Sequence, residues 1–280
     1  MALTGVVLMA ATLLAYSVAS VYYVGALYDL RRAAGAERAT AAGWAAQTLW
    51  LGHRAWVLQG FPAVTLYDWV TFFTWLMVGG FLALAWAGRR GDAWTPRRSH
   101  IGSFLVPVLT LLELAAQLLF TGPASPFRRY PAWLPTHIFL VTLGDAAFLL
   151  AAVAGTMYVE KERELKHKRL RVFYYELPPL EVLDAWGARL VTAGVVLFLA
   201  GMVVGAIGSK ADYGSYWNWN PKETWSLVSW SAYLAYLGLR RFAGWRGYRP
   251  AVWSMVAFLL VVANVFAVSL LFPGDHAYNI

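Results

Sequence analysis

Long apolar runs, interrupted by short polar or basic stretches, dominate this chain. Eight of them lie at roughly 3–27, 41–58, 68–87, 102–120, 137–159, 187–207, 222–239 and 251–272. Each is about the twenty residues an α-helix needs to cross ~30 Å of hydrocarbon at 1.5 Å per residue. The pattern predicts an all-α polytopic membrane helical bundle of about eight transmembrane helices, a single integral membrane domain over 1–280. No cleavable signal peptide is evident. The first run lacks a basic n-region, is too long for an h-region, and is followed by Arg31 and Arg32.

The polar stretches fix an expected orientation. Arg31, Arg32 and Arg38 follow the first run, and Arg89, Arg90, Arg97 and Arg98 the third. Lys161 to Arg171, with Arg189, follow the fifth, and Arg240, Arg241, Arg246 and Arg249 the seventh. These make up 18 of the 23 Lys and Arg; the other side holds Arg54, Arg128, Arg129, Lys210 and Lys222. Lys and Arg concentrate in cytoplasmic loops, so both termini are expected outside the cytoplasm. A basic inner loop then covers about 160–186 and an outer aromatic loop about 208–222.

Composition sharpens this. The chain is 60% hydrophobic and 14% charged, too apolar for a soluble domain. Its net charge of +8 belongs to the orientation pattern, so membrane lipid rather than nucleic acid is the expected partner. Cysteine is absent, which excludes disulfide frameworks, thiolate metal sites and a redox CxxC.

Candidate chemistry gathers in Tyr213 to Trp230, YGSYWNWNPKETWSLVSW. Trp217, Trp219, Trp225 and Trp230 are four of the chain's fifteen tryptophans, and Tyr213 and Tyr216 join them. Such a platform suits a large, flat, partly apolar guest. An interfacial aromatic belt is the plainer reading, but it explains neither the density nor the order. Asn220, Pro221, Lys222 and Glu223 read as a helix start: Asn at the cap, Pro first, and Glu placed to reach back.

Five histidines are available. His100 and His167 fall in the basic loops and read as solvated surface, and His53 beside Arg54 reads as helix packing or an interfacial hydrogen bond. His137 follows Pro135 and Thr136, with Thr136 a candidate cap. His276 follows Pro273 and Gly274. Singly, each is a surface histidine. Together, on the expected outer face and flanking the aromatic loop, they suit bis-axial ligation of haem iron. Within the runs, Gly201 and Gly205 form a GxxxG that lets helices approach. Glu113, Gln117 and Asp145 are intramembrane polar groups, read either as pairing inside the bundle or as a proton or haem pathway.

The aromatic stretch resembles the tryptophan-rich signature WGxYWxWDPKETW of cytochrome c assembly proteins, in their CcsA (ResC-like) branch. Tyr213 replaces its first Trp and Asn220 its Asp. PTHIFLVTLGDAAF around His137 and GDHAY around His276 resemble the family's two haem-ligand segments, the second commonly GLHSY. LPPLEVLDAWGARLV and GWRGYRPA fit as well, so the likeness is good over about 131–280. HRAWVLQGFPAVTLYDW is similar to RWxxSGHFPLSNLYESL but lacks its His. Gly238 in AYLGLRR stands where the family carries an inner histidine in YLHxR, so the outer site carries over and the inner entry site does not.

The resemblance implies a haem-handling subunit of a cytochrome c synthase, of haem lyase type, in a bacterial plasma membrane with its site facing outward. Haem b would be bound as substrate or cofactor. His137 and His276 would hold the iron. Trp217, Trp219 and Trp225 would cover the ring, with Tyr213, Tyr216 and Asn220 completing the pocket. Lys222, with Arg54, Arg128 or Arg129, would face the propionates, anchoring of the span ends at the membrane surface being the other reading of Arg128 and Arg129. Apocytochrome c and a CcsB-like membrane protein are the implied partners. Two other readings are a haem or small-molecule transporter with a midplane site, resting on Glu113, Gln117 and Asp145, and an electron-transfer haem protein, which needs histidines facing each other inside the bundle.

Overall fold

The computed structural model describes residues 2–62, 65–87, 98–119, 131–168, 177–267 and 271. Among them there are eight α-helices and no β-strand. The helices are α1 (Ala2–Ala26), α2 (Ala33–Leu58), α3 (Leu66–Ala87) and α4 (Arg98–Leu119), then α5 (Leu134–Lys166), α6 (Leu180–Tyr213), α7 (Pro221–Phe242) and α8 (Tyr248–Val262). A short 3-10 turn, Leu30–Arg32, precedes α2, and a π-turn, Ala263–Ala267, continues α8.

Each expected span coincides with one helix. Six are long and apolar enough to cross a membrane: α1, α3, α4, α5, α6, and α8 with its π-turn. The chain is a polytopic helical membrane protein. α2 and α7 are less apolar because they carry Arg38, Gln47, His53 and Arg54, and Lys222, Glu223, Arg240 and Arg241. α5 and α6 run to 33 and 34 residues, about 50 Å each at 1.5 Å per residue, longer than the hydrocarbon they cross. α6 therefore continues to Tyr213, and the irregular aromatic stretch is confined to 214–220.

The helices form two compact units, one holding α1–α4 and the other α5–α8. In the first, α2 lies along α1, with Gly43 facing the Tyr16 ring so closely that a Cβ there would sit 2.5 Å from it. Buried polar groups then find partners inside the unit, as they must without water. The Tyr16 hydroxyl donates to Gln47 Oε1 (2.6 Å), and Gln47 Nε2 donates to the Thr71 carbonyl and to Thr74 Oγ1. Thr71 and Thr74 donate to Glu113 at 2.9 and 2.7 Å, and Gln117 donates to the Tyr67 hydroxyl. Pairing inside the bundle is thus what Glu113 and Gln117 do. At the start of α3, Thr65 and Asp68 cap each other reciprocally, and Asp68 also receives Arg54 through two bonds of 2.7 and 3.1 Å.

In the second unit α5 and α6 make the most extensive pairing. Glycines on α6 set the approach. Gly194 faces Phe148, and Gly201 faces Val141. On the partner helix, a Cβ at Gly144 would meet Phe198 at 2.9 Å. α8 packs on α5 through Gly155, whose Cβ would lie 2.7 Å from the Ala251 carbonyl. Phe148 stacks flat on Tyr233 of α7, ring centres 3.7 Å apart. At the end of this unit away from the aromatic stretch, Asp184 of α6 grips Arg240 of α7 through two bonds of 2.7 and 2.8 Å. The same carboxylate also accepts from Gly247 N–H, which ties the start of α8 to the pair.

Candidate functional site

Three backbone events shape the aromatic stretch, all in the second unit. α6 ends on Gly214 at φ 78°, a left-handed cap whose N–H donates to the Lys210 carbonyl. Trp219 takes φ 55°, a conformation a bulky side chain rarely adopts, and this reverses the chain just before α7. Asn220 then caps α7 as the sequence predicts: extended backbone, with its side chain accepting from Glu223 N–H at 2.8 Å. Glu223 does reach back, but to the N–H of Asn218 (2.8 Å). The carboxylate thereby braces the loop as well as the helix start.

The loop is further tied to α6. Asn218 Nδ2 donates to the buried Ser209 hydroxyl at 3.1 Å, and Lys210 Nζ donates to the Gly214 carbonyl and lies 5.4 Å from the Tyr216 ring centre. The rings themselves face outward. Trp219 is 70% exposed and Tyr216 60%, and Tyr213 and Trp225 are also exposed. Trp217 is half-buried and meets Trp219 edge-on at 6.0 Å, and among the described residues its indole N–H has no hydrogen-bond partner. Trp230 faces the other way, donating to the Val195 carbonyl as part of the bundle.

His137 sits at the same end of this unit. α5 begins at Leu134 after Trp133, so Thr136 is already inside the first turn and does not cap it. The imidazole lies over α6 where Gly205 has no side chain; a Cβ there would meet His137 Nδ1 at 2.7 Å. Nδ1 is 2.8 Å from the Gly201 carbonyl. A carbonyl only accepts, so Nδ1 carries the proton and a neutral ring keeps its lone pair on Nε2, the tautomer a metal ligand requires. Trp133 packs edge-on against His137 at 6.0 Å, lies over Gly208, and donates its indole N–H to Asp212 (3.1 Å). The GxxxG, read from sequence only as helix packing, is therefore also the seat of this histidine.

The remaining expected site residues are placed as follows. Arg54 belongs to the other unit, where Asp68 holds its guanidinium. Lys222 Nζ donates to the Asn264 carbonyl at 3.0 Å. His276, Arg128, Arg129 and the side chain of His100 lie outside the described residues. His53 packs against Gly5 of α1, at 3.6 Å from a Cβ placed there. At Gly238 a Cβ would meet nothing within 4 Å among the described residues. Among the described residues no group of three or more His, Asp or Glu could hold a metal ion.

Sequence reasoning missed Trp133, Asp212, Ser209 and Asn264. The first had a usable signal. Gly201, Gly205 and Gly208 are spaced to line one face of a helix, and Trp133, Val141 and His137 supply three large side chains for three gaps. Asn264 had none, because its role depends on a π-turn that composition does not announce.

Residues 56–276 match the Cytochrome C assembly protein family. Relatives include the cytochrome c biogenesis protein CcsA of Prochlorococcus marinus (strain NATL1A), 29% identical over 251 residues, covering 78% of this chain and 76% of that one. CcsA of Zea mays is 36% identical over 187 residues, 64% of this chain and 55% of that one. CcsA of Synechococcus sp. (strain CC9902) is 30% identical over 187 residues, 59% of this chain and 61% of that one. With a match that runs through α3 to α8 and takes in the aromatic loop and the His137 seat, this chain belongs to the cytochrome c assembly protein family, in its CcsA branch.

Proposed function

We propose that this protein works in cytochrome c biogenesis as the haem-handling subunit of a cytochrome c synthase. It holds haem b against the aromatic loop, on the outer side of a bacterial plasma membrane, and presents it to apocytochrome c. The observation that carries this reading is the His137 seat. An imidazole locked in the ligating tautomer by Gly201 stands at the same end of one unit as the exposed aromatic rings.

The residues fit the group they would hold. His137 and His276 would hold the haem iron. Tyr213, Tyr216, Trp217, Trp219 and Trp225 offer apolar faces for a porphyrin, and the unpartnered indole N–H of Trp217 offers a donor at its edge. Asn220 and Glu223 keep the loop in one conformation. Bound haem supplies two vinyl groups. A cysteine S–H of the apocytochrome adds across each, forming a C–S bond while the hydrogen goes to the other vinyl carbon. Both thiols come from the substrate, in keeping with a chain that has no cysteine. The protein's task is orientation and electrostatics. A CcsB-like membrane protein is the expected partner.

Protein purified in detergent should show a low-spin bis-histidine haem spectrum. His137→Ala and His276→Ala should each weaken it, and added imidazole should partly restore it. Full haem content and full cytochrome c maturation in both variants would overturn the assignment.

A further inference from the structure

Lys222 is the second residue of α7, immediately after the aromatic loop. A cation in the first turn of a helix opposes the positive end of the peptide dipoles and ordinarily turns to solvent. This one turns inward. Its ammonium donates to the Asn264 carbonyl at 3.0 Å, and Asn264 lies in the π-turn that continues α8. A π-turn shifts the backbone register by one residue and lets carbonyls leave the helical ladder. The Asn264 side chain completes a second link, donating to Ser226 Oγ, one turn along α7 from Lys222, at 3.0 Å. Two bonds thus staple the first turns of α7 to the end of α8.

The acidic residue beside Lys222 in sequence, Glu223, is turned to the Asn218 N–H.

We infer that Lys222 is a positioning residue: held by the Asn264 carbonyl, with Asn264 itself tied to Ser226, it fixes the exit of the aromatic loop onto α8 instead of pairing with a haem propionate. The haem-dependent part of this inference rests on the function proposed above; the staple does not.

The absence of native cysteine makes a clean test available. A spin label on Tyr216→Cys, at an exposed loop position, reports loop motion by electron paramagnetic resonance without haem. Lys222→Met should sharpen the spectrum and Lys222→Arg, which keeps a donor and a charge, should not. Ser226→Ala, which removes the acceptor of the second link, should sharpen it too, and should serve in place of Lys222→Met if that variant does not accumulate. In the Ser226→Ala background Lys222→Met should add less than it does alone, because the two links act together. An unchanged spectrum in both single variants overturns the staple. In a second arm, haem and its propionate dimethyl ester are titrated into each protein. Lys222→Met should weaken both by the same factor. A loss confined to haem would show that Lys222 pairs with a propionate and would overturn the inference. If the unaltered protein takes up neither compound, the haem reading fails, and the label alone decides the staple.

Discussion

Trp219 holds a left-handed backbone, φ 55°, that costs a side chain of its size about 1–2 kcal/mol, while its ring stays 70% in the open. The bonds from Asn218 to Glu223 and Ser209 hold the loop in this strained turn, and they leave the ring facing out toward a guest. Trp219→Gly should therefore raise the unfolding midpoint in detergent and lower haem retention at the same time. Asn220 behaves differently. Its cap is local chemistry, three residues long, and Asn220→Ala should cost about 1 kcal/mol of stability while Asn220→Asp keeps the cap. The cap was legible from sequence for the same reason: donor and acceptor are neighbours in the chain. The seat of His137 was not, since its partner Gly201 is 64 residues away. Gly205→Ala tests that seat directly. A methyl group 2.7 Å from Nδ1 must push the ring aside, so haem spectra should resemble those of His137→Ala although the bundle still folds.

Among elements, the α5–α6 pair shows what an apolar run conceals. Hydropathy marked both helices, and small residues marked one face of α6, but neither says which neighbour will fill the gaps. Phe148, Val141, His137 and Trp133 fill them in succession, so one interface runs from packing in the middle to chemistry at the end. At the opposite end Asp184 joins three helices by holding Arg240 and the Gly247 N–H. Removing one partner of a largely buried ion pair leaves the other charge stranded. Asp184→Ala should cost about 3 kcal/mol in a denaturant titration, with the tryptophan platform's ligand affinity affected only through overall folding. Gly238 lies two residues before Arg240 on α7, and among the described residues nothing comes within 4 Å of a Cβ placed there. Gly238→His should fold normally, and haem loading is the measurement that shows whether a ligand at this position is used.

For the molecule as a whole, the basic residues carry a topological prediction. Single cysteines at Tyr216 and at the 87% exposed Phe242 should be labelled by a membrane-impermeant thiol reagent from opposite sides of intact cells, Tyr216 from outside. The eight helices, the cap at Asn220 and the aromatic cluster follow from the sequence alone, because hydrocarbon thickness, local hydrogen bonding and side-chain type act along the chain. Which polar groups satisfy one another does not. Glu113 found Thr71 and Thr74, Arg54 found Asp68, and Lys222 found a carbonyl 42 residues away. Those pairings are set by where packed helices bring side chains in the absence of water, and only the tertiary structure decides them.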